Sequence, residues 1–234
     1  MKIKDKVIII TGVSEGIGAA TAKVLADKGA KLVLAARSGE KLRALAKELP
    51  EAIVVVTDMR KPQDIENLIV ETLKKYGRID ILINNAGQGM YGPFEKIDIE
   101  KYKEVMELNV YAVVRAMQAV IPQMRSQGGG MILNISSMVS KKYFPSLAAY
   151  ASTKYALNAL SLTARQELAP DKIVVSVFHP KMTATNFGKN AVGARPEWVT
   201  SQRDNHPLPE VDQPEQVAQK IAEQIESDEA EVTM

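Results

Sequence analysis

The chain has no cysteine and only two histidines, His179 and His206. Without thiols there is no disulfide scaffold and no thiolate metal site, and two isolated imidazoles do not make a zinc or haem cluster. No metal is expected. A basic stripe is also missing, because 30 Lys+Arg stand against 28 Asp+Glu with the signs interspersed and a formal net charge of +2. Nucleic-acid binders normally display such a stripe, so no nucleic-acid partner is expected. The first apolar run covers only residues 7–10, too short for a signal-peptide core and far short of the roughly 20 residues of a membrane span. The reading is a cytoplasmic protein with no membrane partner. No Pro/Gly/Ser linker, fixed-period repeat or low-complexity tract divides the 234 residues, which read as one domain over 1–234.

What is present is alternation. Short β-branched or aliphatic runs at 7–11, 31–35, 53–57, 79–83, 131–135 and 173–178 are bounded by Gly, Asp or Asn, as strands buried on both faces are. Helical spacing fills 19–28, 40–49, 64–76, 102–124 and 148–168, with a last helix at about 213–225. This pattern predicts an α/β fold: a single doubly wound Rossmann-type domain, with a parallel sheet of six to seven strands and helices on both faces. Residues 182–211 carry Pro196, Pro207 and Pro209 and little periodicity, and are expected to form a mobile substrate loop.

The first strand runs into Thr11-Gly12-Val13-Ser14-Glu15-Gly16-Ile17-Gly18 and then a helix. Glycines there let the backbone turn tightly and approach a pyrophosphate at the positive helix N-terminus. The same glycines also suit a strand-to-helix turn that merely needs φ > 0. At the end of the second strand, where dinucleotide folds usually hold the ribose 2′-hydroxyl with a carboxylate, stands Ala35-Ala36-Arg37-Ser38. A guanidinium suits a 2′-phosphate, so NADP(H) is the preferred cofactor, with NAD(H) possible because Glu15 adds a carboxylate nearby.

Ser137 ends the fifth strand run, and Tyr150 and Lys154 follow at i and i+4, on one helix face. A phenol near pKa 10 is a poor proton relay at neutral pH, and a neighbouring ammonium favours its ionised form. Lys154 is therefore expected to lower the Tyr150 pKa, while the Ser137 hydroxyl polarises a substrate carbonyl. Taken singly, each has a plainer reading. Tyr150 suits a core position, Lys154 a solvated one and Ser137 a turn cap; Asn109 suits a helix bridge, and Asp58 and Asn84 to Gly87 suit turns.

The ordered set resembles the classical short-chain dehydrogenase/reductase family: the glycine turn, Asp58, Asn84-Asn85-Ala86-Gly87, Asn109, Ser137 and Tyr150-x-x-x-Lys154. The resemblance covers about residues 6–185. It implies Tyr150 as general acid or base, Ser137 as substrate-orienting group, and Lys154 as both pKa-lowering neighbour and ribose ligand. Asn109 would hold a water that links Lys154 to solvent. Cofactor contacts are implied for Gly12, Ser14, Glu15, Gly16, Ile17, Gly18, Arg37, Asp58 and Met59. They are also implied for Asn85, Ala86, Gly87, Tyr150, Lys154, Pro180, Met182, Thr183 and Thr185. The chain departs from the family pattern at Glu15, where many NADP-using members carry a basic residue. It departs also at Ser140 and Lys181, where glycine is common. A seventh strand is expected to be short or absent.

The substrate is expected to be a small ketone, aldehyde or alcohol, with Met90, Tyr91, Phe144, Phe187 and Trp198 as pocket-wall candidates. The family implies a homodimer or homotetramer through the helices at 102–124 and 148–168, where Val113, Met117, Val120, Leu157, Leu160 and Leu162 suit an interface or a thick core. Two alternatives stand beside a carbonyl reductase. One is a 3-oxoacyl-carrier-protein reductase, suggested by the mild basic excess of Lys181, Lys189, Arg195 and Arg203 over Glu197 and Asp204. The other is a non-catalytic nucleotide-sensing protein of the same fold.

Overall fold

Strand β1 (Val7–Thr11) shows why the aliphatic runs form a buried sheet. Ile8 and Ile10 pack into one helix layer, while Val7 and Ile9 pack into the opposite one. Side chains alternate across a strand with period 2, so a continuous aliphatic run satisfies a sheet covered on both faces. The computed structural model describes residues 1–196 and 211–234. Trp198 lies outside the described residues, as do Glu197, Arg203, Asp204, His206, Pro207 and Pro209.

The remaining strands are β2 (Lys31–Ala36), β3 (Ile53–Val56), β4 (Ile81–Asn84), β5 (Gly130–Ile135), β6 (Ile173–His179) and β7 (Glu231–Thr233). All pairings are parallel, in the order β3-β2-β1-β4-β5-β6-β7. The seventh strand is thus present, though only three residues long, with Phe178 opposite Val232.

Helices α1 (Gly16–Asp27), α2 (Gly39–Ala46) and, late in the chain, α7 (Pro214–Ser227) cover one face through Leu25, Leu42 and Ile221. Helices α3 (Pro62–Tyr76), α5 (Ala112–Ser126) and α6 (Ala148–Leu168) cover the other through Leu68, Val113 and Leu157. Burying an aliphatic side chain of this kind contributes about 2 kcal/mol, so the two layers hold the sheet without a disulfide. Val113, Met117, Val120 and Leu157 are core residues, whereas Leu160 is exposed.

The helix expected over 102–124 is instead three pieces. Helix α4 (Ile99–Met106) ends in a π-helical turn, Glu107–Tyr111, which leads into α5. Hydrophobic spacing cannot reveal such a break, because one inserted residue leaves an apolar face on either side. The cause is visible in three dimensions: Asn109, in the π turn, is tied by its side chain to Gln88 and Thr153. Single π turns concentrate at functional sites.

At the opposite edge of the sheet, Asp80 is buried and fully engaged. It accepts the Val7 N–H at 2.9 Å, two Arg78 donors at 2.7 and 3.0 Å, and Lys6 Nζ at 3.3 Å. These contacts hold its carboxyl below the usual Asp range against the opposing effect of burial. No helix among the described residues is long and apolar enough to cross a membrane.

Candidate active site

The chain direction across the sheet switches between β1 and β4, and open α/β sheets bind ligands outside the carboxyl ends of the strands at such a point. The glycine turn lies there. A Cβ on Gly12, where φ is +68°, would come within 2.6 Å of the Ala86 Cα, so only glycine lets the turn close on the β4 loop. Gly16, at φ +61°, would bring a Cβ to 3.0 Å from the Thr185 methyl. The turn is bracketed by Thr11, whose Oγ1 accepts the N–H of both Asn85 and Ala86 at 3.1 Å. Asn85 returns its side-chain amide to the carbonyls of Thr11 and Gly12. The Asn85 side chain, expected at the cofactor, thus holds the turn in shape.

Helices α2 and α4 start under a side-chain cap, whereas α1, like α6, does not. Ser38 caps α2 by accepting from the Lys41 N–H, and Asp98 caps α4. Helix α1 begins after Glu15 with no side-chain cap and no acidic residue in its first turn. Its first N–H groups therefore present a positive end beside Ser14 and Ile17, both half-buried, an arrangement that favours an anion. Glu15 itself turns away from capping. Its carboxylate pairs with Lys41 Nζ at 3.0 Å and accepts from Asn190 at 2.9 Å and Asn186 at 3.5 Å. The Lys41 contact chiefly holds its pKa below the usual Glu range. Nothing in the spacing of Lys41 ties it to Glu15, 26 residues away, so only the folded chain reveals the pair.

Arg37, one residue beyond β2, is exposed and has no ion-pair partner among the described residues. Asp58 is half-buried after β3 and accepts the Arg60 N–H at 3.1 Å, a turn contact that occupies one carboxylate oxygen. The Met59 side chain is buried in the core. After β6, Pro180 is buried and its carbonyl accepts the Met138 N–H. Met182 and Thr183 pair with Asp212, and the Thr185 hydroxyl caps a short 3-10 turn, Asn186–Gly188. A cavity of about 490 Å³ runs from Gly16 and Lys23 to Thr185, Lys189 and Glu215, so the uncapped end of α1 opens onto free space.

Helix α6 brings the reactive groups together. Tyr150 and Lys154 lie one turn apart and both are buried, with the Lys154 ammonium 5.9 Å from the centre of the Tyr150 ring. Lys154 Nζ donates to the Ile135 carbonyl at 2.9 Å. The Ser137 hydroxyl faces the Tyr150 phenol closely enough to lower its pKa, and it accepts the Val139 N–H at 3.3 Å. Gly87 lies against both Lys154 and Asn109: a Cβ there would sit 3.7 Å from the ammonium and 3.3 Å from the Asn109 Oδ1. Asn109 bonds Gln88 through both its amide atoms, so it bridges to the β4 loop rather than within its own helix.

The electrostatics correct one expectation. Burial, not Lys154, dominates the Tyr150 phenol and pushes it above the usual range, while the Ser137 hydroxyl pulls it down. Burial also lowers Lys154 to about 8. An ammonium that is itself desolvated and bonded to a carbonyl does little to ionise the phenol. As it stands, Tyr150 keeps its proton at neutral pH.

Apolar side chains surround the phenol. Met90, Leu147 and Ala149 cluster with Tyr150, flanked by Tyr91, Phe144 and Val192. The Phe187 ring centre is 5.6 Å from that of Tyr150. Four pocket-wall candidates therefore gather at the phenol. A second cavity, of about 150 Å³, adjoins them and is lined in part by Tyr91, Lys96, Ile97 and Lys101. The segment carrying Phe187 is tied across the cleft, since Val192 exchanges backbone bonds with Gly89 and Tyr91 and Gln88 donates to the Asn190 carbonyl.

A family model described as short chain dehydrogenase matches residues 6–195. An uncharacterized oxidoreductase of Staphylococcus saprophyticus is 39% identical over 189 residues, 79% of this chain and 77% of that protein. A short-chain dehydrogenase from Sphingobium yanoikuyae, solved in complex with NADPH, superposes with TM-score 0.85 at 31% identity over 97% of this chain and 87% of that one. The 3-ketoacyl-(acyl-carrier-protein) reductase from Brucella melitensis, complexed with NADH, gives TM-score 0.89 at 27% identity, covering 99% of this chain and 97% of that one.

Proposed function

Because the chain belongs to the short-chain dehydrogenase family, we propose that it is an NADP(H)-dependent oxidoreductase that interconverts a ketone or aldehyde with the corresponding alcohol. One observation carries the reading: the buried Tyr150 phenol faces the Ser137 hydroxyl and is flanked by Lys154, at the sheet edge where α1 offers an uncapped N-terminus. The residues present suit a dinucleotide. Free helix N–H groups favour its pyrophosphate, Gly12 and Gly16 leave no side chain over the turn, and unpaired Arg37 favours a 2′-phosphate.

When bound, the reduced nicotinamide supplies a hydride to the carbonyl carbon. The protein's task is the proton and the geometry. Ser137 donates to the carbonyl oxygen and holds it against Tyr150. Tyr150, protonated at neutral pH, is in the correct state to give its proton to the oxygen as negative charge develops there. Lys154 and Asn109, both against Gly87, are assigned the task of replenishing the proton lost from Tyr150. Met90, Tyr91, Phe144 and Phe187 exclude water, which strengthens each of these interactions. The reading includes a homodimer or homotetramer built on α5 and α6, in keeping with exposed Leu160.

The test is NADPH consumption over a panel of ketones and aldehydes by wild type and Tyr150→Phe. Loss of the positioned acid is expected to cost about 100-fold or more in kcat. Equal rates in the two proteins refute the assignment, and tight NADPH binding with no turnover by wild type favours a nucleotide sensor. A second reading, reduction of a 3-oxoacyl group on a carrier protein, draws on the Brucella melitensis likeness and on Lys96 and Lys101 at the smaller cavity. A kcat/KM for the carrier-bound thioester well above that for the free thioester would support it.

A further inference from the structure

His179, at the end of β6, is a buried titratable group with no part in the chemistry above. Its side chain is 0% exposed. Its Nε2 lies 3.0 Å from the Glu231 Oε1 on β7, and Glu231 in turn pairs with Lys141 Nζ at 2.6 Å. Its Nδ1 lies 3.1 Å from the Ser140 Oγ and 3.4 Å from the Ser137 carbonyl oxygen. Ser140 Oγ is also 2.6 Å from that same carbonyl. A chain of contacts therefore runs from the surface, through an imidazole, to the backbone of the residue that touches the Tyr150 phenol.

Counting protons shows that this chain has two states. An ionised Glu231 only accepts, so Nε2 must carry a hydrogen, and a neutral imidazole then has a bare Nδ1. Ser140 has one proton to offer, and both Nδ1 and the Ser137 carbonyl accept. Ser136 supplies none, because its hydroxyl donates to Asn158 at 2.7 Å and meets Ser140 only as a 3.2 Å contact. With a second proton on the imidazole the conflict ends. Nδ1–H donates to Ser140, the Ser140 hydroxyl is free to donate to the Ser137 carbonyl, and every group in the chain is satisfied.

We propose that His179 is a positioning residue for Ser137, its proton count deciding whether the Ser140 hydroxyl clamps the Ser137 carbonyl in addition to the Ser140 N–H, which donates there at 3.0 Å in either state. Glu231, from β7, and Lys141, from the turn after β5, are the charged groups that face it and set that count. Burial and Lys141 hold the imidazole below the usual His range, while Glu231 and the Ser137 carbonyl pull it up. The neutral state, in which the hydroxyl clamp is open, therefore prevails at neutral pH, and the clamp closes on acidification, below the ordinary imidazole range. Its effect on rate rests on the reductase reading; its effect on the Ser137 turn does not.

The test is nuclear magnetic resonance of 15N-labelled protein across pH, with kinetics in parallel. Of the two histidines, the resonance lost in His179→Gln identifies this one. The Val139 amide, which donates to the Ser137 hydroxyl, reports the position of that hydroxyl. It is expected to titrate with the His179 midpoint. That midpoint should rise by about half a unit to a unit in Lys141→Met and fall by a similar amount in Glu231→Gln. In Ser140→Gly, which takes the residue common in the family, His179 still titrates and the Val139 amide becomes flat. With NADPH and a ketone, wild-type kcat should rise about threefold to tenfold through the same midpoint with KM unchanged, and Ser140→Gly should not show it. A Val139 amide that ignores His179, or midpoints that do not move oppositely in the two charge variants, overturns the clamp. A flat kcat in an enzyme that turns over does so as well. If no carbonyl is reduced by any variant, the reductase reading fails and the spectra alone decide the clamp.

Discussion

The Lys154 ammonium lies 5.9 Å from the centre of the Tyr150 ring yet gives its hydrogen bond to the Ile135 carbonyl. Two ionisable groups thus share one buried site, and burial works on them in opposite directions: the phenol is raised and the ammonium lowered to about 8. Both shifts favour the neutral forms, which is what desolvation does to any charge.

The first prediction concerns the cost of that burial. An ordinary Lys titrates at 10.5, so the lowered value corresponds to about 3 kcal/mol against the charged form in the folded protein. Between about 8 and 10.5 the folded state binds fewer protons than the unfolded one, so wild-type stability rises with pH across that window. Lys154→Met removes the charge and leaves the Ile135 carbonyl unbonded, a loss of about 1 kcal/mol. At pH 7 it should therefore be more stable by about 2 kcal/mol in urea unfolding, and the gain should vanish above pH 10. Its carbonyl-reducing activity should fall at least tenfold. A variant less stable than wild type at pH 7 contradicts the burial argument.

Cofactor preference gives a second. Lys41 neutralises Glu15 in this structure, so Lys41→Met leaves the Glu15 carboxylate with only the neutral Asn190 and Asn186 amides, its charge uncompensated in the turn proposed to hold the cofactor. Calorimetry should show NADPH weakened several-fold in Lys41→Met and about tenfold or more in Arg37→Ala, with NADH unchanged in both. Glu15→Gln should act in the reverse sense. NADH bound more tightly than NADPH by wild type would remove the role assigned to Arg37.

Thr11 supports a third. Its hydroxyl accepts from two backbone N–H groups of the β4 loop while Asn85 grips the glycine turn. Thr11→Val keeps the shape and removes the acceptor, stranding both donors. Unfolding should be easier by about 2 to 3 kcal/mol, with NADPH affinity reduced in step. Unchanged stability would mean that the bracket is dispensable.

Acid stability is the fourth. Asp80 titrates below its ordinary 3.8 because Arg78, the Val7 N–H and Lys6 all favour the carboxylate. A depressed carboxyl stabilises the fold above its unfolded pKa, and that contribution is lost as pH falls through the folded value. Asp80→Asn should lower stability at pH 7 by about 3 kcal/mol and flatten the acid limb below pH 4, as followed by circular dichroism. An acid limb of wild-type steepness in the variant would assign it to other carboxylates.

Much of the architecture was legible because it depends on local chemistry. Aliphatic runs of strand length, with helical spacing between them, admit one economical solution, a doubly covered parallel sheet. The spacing of Tyr150 and Lys154 already placed them on one face of α6, and the glycines at 12 and 16 already required an unusual turn. The π turn at Asn109 was not legible, since its cause is a bond to Gln88, 21 residues away in sequence.

By itself the sequence determined the layering and the ordered motifs, and it named the candidate groups of the site, because these follow from side-chain type and from periods of 2 and 3.6 residues. Only the tertiary structure decided which charges those groups carry. Burial of Tyr150 and Lys154, the pairing of Glu15 with Lys41, and the line from Glu231 through His179 to Ser137 all join residues distant in the chain. Proton affinity depends on what surrounds a group in space, and no spacing along a chain encodes that environment.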